Sequence, residues 1–184
     1  LSQMTDSALR YELESIERGV VRIERHEAIA HFQTQINKVS QLAQTKNQTI
    51  IFEHPEEPFD IWIEARKLNS IIQNLLSNAI KYSNDGETII LRLYCDSKNW
   101  GFHVKDNGIG ISDAEKSKLF KQIFRAANAI NAKTFGSGIG LISIYRYVMQ
   151  MKGSVDVKSI LNQGSDFHIR FPRGKKHYNA QTTE

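Results

Sequence analysis

Apolar residues recur at helical spacing in four stretches of the chain. Near the start, Leu9, Leu13 and Ile16 fall at i, i+4 and i+7, ending at Gly19. From Ala28 to Thr45, Ile29, Phe32, Ile36, Val39 and Leu42 share one face. From about Glu64 to Tyr82, Leu68, Ile71, Ile72, Leu75 and Ala79 do the same. The last stretch carries Leu141, Ile144, Tyr145 and Val148, with a stop expected at Gly153. Between the helices the period shortens to two. Short strands are expected at Thr49–Glu53 and Phe59–Ile63, and a hairpin whose arms carry Ile89, Leu91, Leu93 and Cys95, then Trp100, Phe102 and Val104. A final pair is expected near Ser154–Ser159 and Ser165–Phe171. The order predicts an α/β two-layer sandwich: a mixed, mostly antiparallel sheet of about five strands with three helices on one face.

The remaining stretches set the boundaries. Residues 1–19 present a narrow apolar stripe, which suits packing on another helix or equally on the domain itself. Residues 20–172 hold the folding pattern, and the polar, basic stretch 173–184 reads as a flexible tail. Residues 112–136 are polar and weakly patterned apart from Leu119–Phe124, and a long segment of that kind is usually functional. Leu1 is not an initiator methionine, so a longer parent protein is expected. No apolar run approaches the roughly 18 residues of a membrane span.

Composition narrows the function. At 184 residues, with 40% hydrophobic and 24% charged residues, the chain has the makeup of one ordinary globular domain. Its single cysteine, Cys95, excludes an internal disulfide and a multi-cysteine metal site, and sits where a small core residue is expected. The net charge of +4, much of it from Arg173, Lys175 and Lys176 in the tail, is too small and too scattered for a nucleic-acid binder.

Three motifs carry candidate chemistry. On the Glu64–Tyr82 helix, Asn74, Asn78, Lys81 and Tyr82 fall at i, i+4, i+7 and i+8, beside the apolar face. Amide oxygens suit a hard cation such as Mg²⁺, an ammonium suits phosphate, and a ring suits a flat base. Alone, the same edge would serve as a solvated helix face. Second, Asp106-Asn107-Gly108-Ile109-Gly110-Ile111 follows a strand directly. A carboxylate there can accept a hydrogen bond from the exocyclic amine of adenine, where guanine presents an oxygen. Third, Gly136-Ser137-Gly138-Ile139-Gly140-Leu141 opens a helix, whose N-terminal N–H groups favour phosphate. Its spacing is neither the Rossmann fingerprint nor a Walker A loop.

In combination and in this order, the motifs resemble those of the ATPase family of gyrase B, Hsp90, MutL and histidine kinases. The finer resemblance is to bacterial sensor histidine kinases. Asn74–Ser83 is similar to their N box, Asp106–Ile111 to the G1 box, Leu119–Arg125 to the F box, Gly136–Leu141 to the G2 box, and Gly164-Ser165-Asp166-Phe167 to the turn of the last hairpin. The resemblance implies ATP and Mg²⁺ as ligands and residues 112–136 as an ATP lid. It also implies that Asn78 ligates the metal, that Asn74 and Lys81 lie near the phosphates, and that Tyr82 packs on the nucleotide. Asp106 would bind the adenine amine and Arg125 would approach the γ-phosphate, with Gly108, Gly110, Gly136, Gly138, Gly140 and Leu141 lining the pocket. Residues 1–19 would then be the end of a dimerisation hairpin.

Hydrolysing members of the family place a glutamate base where this chain has Asn74, and an amide cannot take that proton. A neutral imidazole already has a free lone pair and needs no base. Transfer of the γ-phosphoryl to a histidine is therefore expected, ahead of two alternatives: a gyrase/Hsp90-type hydrolase and a non-catalytic nucleotide-binding interaction domain. None of the six histidines sits in a His-Glu-x-Arg-Thr-Pro motif; His26-Glu27 is nearest and lacks its sequel. The phosphoacceptor hairpin is thus expected outside this chain, and the chain itself to be monomeric within a homodimeric parent. Other implied partners are a response regulator receiver domain and ATP. The implied setting is the cytoplasm, for a parent either soluble or anchored in the inner membrane. The F box departs from the family pattern at Lys121 and Gln122, and Ser83 stands where threonine is common.

Overall fold

A computed structural model describes residues 21–116, 119–120 and 140–174. The expected helical stretch 1–19, most of the 112–136 lid and the tail beyond 174 lie outside the described residues.

The chain runs β1 (Glu24–Glu27), α1 (Ala28–Gln44), β2 (Thr49–Glu53), β3 (Asp60–Ile63), α2 (Ala65–Tyr82), β4 (Thr88–Cys95), β5 (Asn99–Asp106), α3 (Asp113–Lys116), α4 (Gly140–Gln150), β6 (Ser154–Ile160) and β7 (Gly164–Pro172). Strands β2-β4-β5-β7-β6 form one sheet, parallel at β2–β4 and antiparallel elsewhere. Helices α1, α2 and α4 cover one face. This is the expected two-layer sandwich.

One strand is placed differently from the simplest reading of the pattern. β3 leaves the main sheet and pairs antiparallel with β1, a strand that the sequence did not signal. Glu24–Glu27 reads as polar, and its partner's one wholly apolar stretch supplies the buried Ile61 and Ile63. A short polar edge strand has no periodicity to find.

Helix ends follow local chemistry. Glu27 caps α1, its carboxylate accepting from the Ile29 and Ala30 N–H groups at 2.9 and 2.7 Å. Glu64 caps α2 through the Arg66 N–H at 3.0 Å. The C-terminal carbonyls of α2 are met from afar. Buried Gln48 donates through Nε2 to the Ile80, Ser83 and Asn84 oxygens, and Lys46 Nζ donates to those of Ile80 and Ser83. After α4 the left-handed residue is Lys152 (φ 55°), not Gly153. Gly153 is small for another reason: a Cβ there would lie 2.6 Å from the Arg170 carbonyl oxygen and the Phe171 ring.

The core sits between the helices and the inward sides of β4, β5 and β7. Phe32 of α1 packs edge-on to Phe102 of β5 at 4.9 Å between centroids, and Trp100 lies 4.9 Å from Phe171. Leu68, Ile72 and Leu75 present the inner face of α2 to this layer. Each such side chain contributes about 1.5–3 kcal/mol when fully buried. The packing sets α2 against β4 and β5, with its C-terminal end beside the loop that follows β5.

The Gln48 amide answers three carbonyls at the end of α2, so truncation strands buried acceptors. Gln48→Ala is expected to cost about 1–3 kcal/mol. A fall in the urea midpoint at unchanged slope checks this.

Candidate functional site

At the end of β5, Asp106 is 7% exposed. Its Oδ1 accepts from the Gly108 N–H at 2.8 Å and the Ser165 N–H at 3.2 Å, so one oxygen joins the following loop to the start of β7. Among the described residues Oδ2 takes no hydrogen bond. Burial pushes the Asp106 pKa up to about 6, the two N–H donors pull it partly back, and neighbouring Asp166 raises it slightly.

The loop after Asp106 is held on both sides. Ile109 N–H donates to the Tyr82 carbonyl at 3.1 Å, and Asn162 N–H donates to the Ile109 carbonyl at 2.8 Å. Ile111 N–H donates to Ser159 Oγ at 2.8 Å; Ser159 Oγ also donates to the Gly164 carbonyl and meets Ser165 Oγ at 3.0 Å. Lys116 Nζ reaches the Ser159 carbonyl at 3.1 Å. The glycines serve these contacts. A Cβ on Gly108 would sit 2.3 Å from the Tyr82 carbonyl oxygen, and one on Gly110, at φ 61°, would sit 2.0 Å from that of Ile160. The sequence suggested glycines that admit a ligand; in the fold they first admit the protein's own backbone.

Along α2, Asn74, Asn78, Lys81 and Tyr82 are all half-buried and lie along one edge. Lys81 Nζ lies 3.1 Å from Tyr82 Oη and 4.7 Å from the centre of its ring. The Asn78 carboxamide has no hydrogen-bond partner among the described residues. Asn74 Oδ1 lies beside the start of α4, 3.5 Å from where a Cβ of Gly140 would stand. Leu141 packs against the core from that same turn. The fold therefore brings Asn74 beside Gly140, next to Leu141 in the same turn, and ties the Asp106 loop to Tyr82 through Gly108 and Ile109, while Gly110 lies against Ile160. Arg125, Gly136 and Gly138 lie outside the described residues.

The two glutamates that flank Asn74 in sequence have other tasks. Glu64 caps α2, and Glu87 Oε2 accepts from the Asn107 side chain at 3.5 Å. Sequence reasoning missed Ser159 and Ser165, which lock the loop in place. The signal was present: in Val155, Val157, Ser159 a hydroxyl takes an inward position, and such a group needs a partner.

A half-buried amide edge, a buried carboxylate at a strand end and a glycine-bearing helix start thus lie on a helix-covered mixed sheet, a two-layer α/β sandwich. The sequence profile described as "Histidine kinase-, DNA gyrase B-, and HSP90-like ATPase" matches residues 63–175, and the chain belongs to that family. Among its relatives, "Sensor histidine kinase RcsC" of Salmonella typhimurium is 33% identical over 121 residues, 66% of this chain and 13% of that protein. "Histidine kinase P4" of Formosa agariphila is 32% identical over 142 residues, 75% of this chain and 10% of that protein. The chain thus spans about an eighth or less of the length of these relatives. Among solved structures, the mycobacterial sensor histidine kinase MprB shares the fold at TM-score 0.70 and 22% identity, over 83% of this chain and 98% of that one. Full-length ShkA in complex with AMPPNP shares it at TM-score 0.72 and 20% identity, over 86% of this chain and 33% of that one. No described helix is long and apolar enough to cross a membrane.

Asp106 gives the site a stability signature. Its folded pKa of about 6 lies above the ordinary 3.8, so the folded state holds the proton more tightly. The stabilisation is full below about pH 4 and is lost as pH rises through about 6, amounting to roughly 2–3 kcal/mol. Asp106→Asn keeps an acceptor oxygen without a charge to bury. It should be more stable than the parent at pH 7.5, with the difference vanishing near pH 4 in denaturation curves.

Proposed function

We propose that this chain is the catalytic half of a sensor histidine kinase, transferring the γ-phosphoryl group of Mg-ATP to a histidine on a separate dimerisation hairpin. The observation that carries the reading is the pairing of an amide, Asn74, with the start of α4. At that place a hydrolase of this family needs a carboxylate to deprotonate water, and the glutamates that flank Asn74 in sequence, Glu64 and Glu87, are engaged elsewhere. An amide can orient or hold phosphate but takes no proton, which suits an acceptor that is already a free nucleophile.

The residues present fit the ligand. Asn78, half-buried with its carboxamide unpartnered among the described residues, offers an oxygen of the hardness Mg²⁺ prefers. Bound there, Mg²⁺ supplies neutralisation of phosphate charge. Lys81 adds a positive charge on the same edge, Tyr82 offers an apolar ring for packing, and Asp106 offers the free Oδ2 to the adenine amine. The start of α4, with Gly136, Gly138, Gly140 and Leu141, would bind phosphate, and Arg125 would reach the γ-phosphate from a lid spanning 112–136. Gly108 and Gly110 keep the pocket floor tight.

The domain plan follows the same reading. Residues 1–19 end the second helix of the dimerisation hairpin, 20–172 form the ATP-binding domain, and 173–184 form a tail. The hairpin and a response regulator receiver are the protein partners, in a homodimeric parent acting in the cytoplasm.

Calorimetric titration tests the site. ATP with Mg²⁺ should bind the unmodified chain and GTP should not. Asp106→Asn should weaken ATP by at least about tenfold, about the value of a charge-assisted hydrogen bond. Because an ionised Asp106 is the acceptor, affinity should hold above pH 7 and fall as pH drops through about 6. Asn78→Ala should remove the dependence on Mg²⁺. With ³²P-labelled ATP the chain alone should acquire no label, and a supplied hairpin should acquire it on histidine. Steady phosphate release without transfer would replace the kinase reading with hydrolysis; binding without either would leave an interaction domain.

A further inference from the structure

The sheet face turned away from the helices carries a cluster that the nucleotide chemistry does not use. Along β5, Trp100, Phe102 and Val104 point into the core, so His103 points to the opposite face. On β7, Phe167 and Ile169 point inward, so Asp166 and His168 share the outer face with His103. The register sets His103 directly across from His168, and their rings lie 3.9 Å apart between centroids. His103 Nδ1 is 3.8 Å from Asp166 Oδ1, and His168 Nε2 is 3.0 Å from Asp166 Oδ2. One ligand atom from each of the three side chains lies within 4.8 Å of the other two, the one such group of His, Cys, Asp and Glu among the described residues.

One feature sets this cluster apart from an ordinary ion pair. Asp166 Oδ1 and His168 Nε2 are buried atoms without an aligned hydrogen bond, although His168 Nε2 stands 3.0 Å from Asp166 Oδ2. Such orphaned groups carry a desolvation cost that a ligand would remove. The cations nearby are partly answered: Arg92, beside His103, is paired with Glu53, and Lys105 and Lys158 flank Asp166, with Asp156 next to His168.

We propose that His103, Asp166 and His168 form a binding site for a borderline transition-metal ion, Zn²⁺ by chemistry, on the outer face of the sheet. Two imidazoles and one carboxylate suit Zn²⁺ rather than Mg²⁺ or Ca²⁺, which take oxygen sets. Ligand atoms about 2 Å from one metal lie about 3.3 Å apart, so the side chains need only small shifts to close on it. The ion would pin β5 to β7 three residue pairs from Asp106 and Ser165, on the face opposite the nucleotide pocket.

Titration of the metal-free chain with Zn²⁺ against a chromophoric chelator tests this, alongside Co²⁺ absorption and histidine side-chain NMR. The expected result is saturable uptake of a single ion, with zinc-induced shifts at the His103 and His168 rings. His103→Gln and His168→Gln should each weaken uptake about tenfold or more while keeping the circular dichroism of the parent. Absence of uptake, uptake unchanged in the double substitution, or zinc-induced shifts at other histidines only would overturn the site. If the substitutions unfold the chain, the ring shifts of the unmodified protein decide.

Discussion

One buried oxygen holds the site together. Asp106 Oδ1 takes N–H groups from its own loop and from the start of β7, so the end of one strand, the turn after it and the next strand cannot move independently. The cost is a carboxylate out of water, visible in a pKa near 6. The other oxygen takes no hydrogen bond among the described residues. A purely structural acceptor in this position would be better served by an amide, which can take the same two hydrogen bonds without a charge.

Around this oxygen the loop 107–111 is clamped from opposite sides. The end of α2 takes the Ile109 N–H through Tyr82, and the β6–β7 turn takes its carbonyl through Asn162. The end of α2 is itself fixed by Gln48 and Lys46 from the connection before β2. A chain of hydrogen bonds thus runs from the α1–β2 turn through the end of α2 and the loop to the last hairpin. The edge of α2 that carries Asn74, Asn78 and Lys81 is set by the helix's buried face, and that chain fixes its C-terminal end.

The two faces of the sheet have divergent chemistry because β5 and β7 alternate. Inward positions feed the aromatic core under the helices, and Asp106 ends that inward series. Outward positions gather His103, Asp166 and His168. A single ladder therefore carries a buried carboxylate at one end and an imidazole pair in its middle, on opposite sides and without shared side chains.

Much of this was legible in the residues. The three described helices with wide apolar faces, the hairpins and the two-layer sandwich followed from periodicity, because a buried stripe writes itself into every third or fourth position of a helix and every second position of a strand. Asn74, Asn78, Asp106 and the glycines stood out because their residue types and spacing are chemically unusual. What the sequence could not contain were relations between distant positions. The β1–β3 side sheet depends on a polar strand with no pattern of its own. The parallel placement of β2 beside β4, the meeting of His103 with His168, and the capping of α2 by Gln48 across more than thirty residues depend on register and packing. Local pattern determined which elements form and which residues are worth watching. Only the tertiary structure decided which of them touch, because contacts between distant segments are set by how the whole core closes.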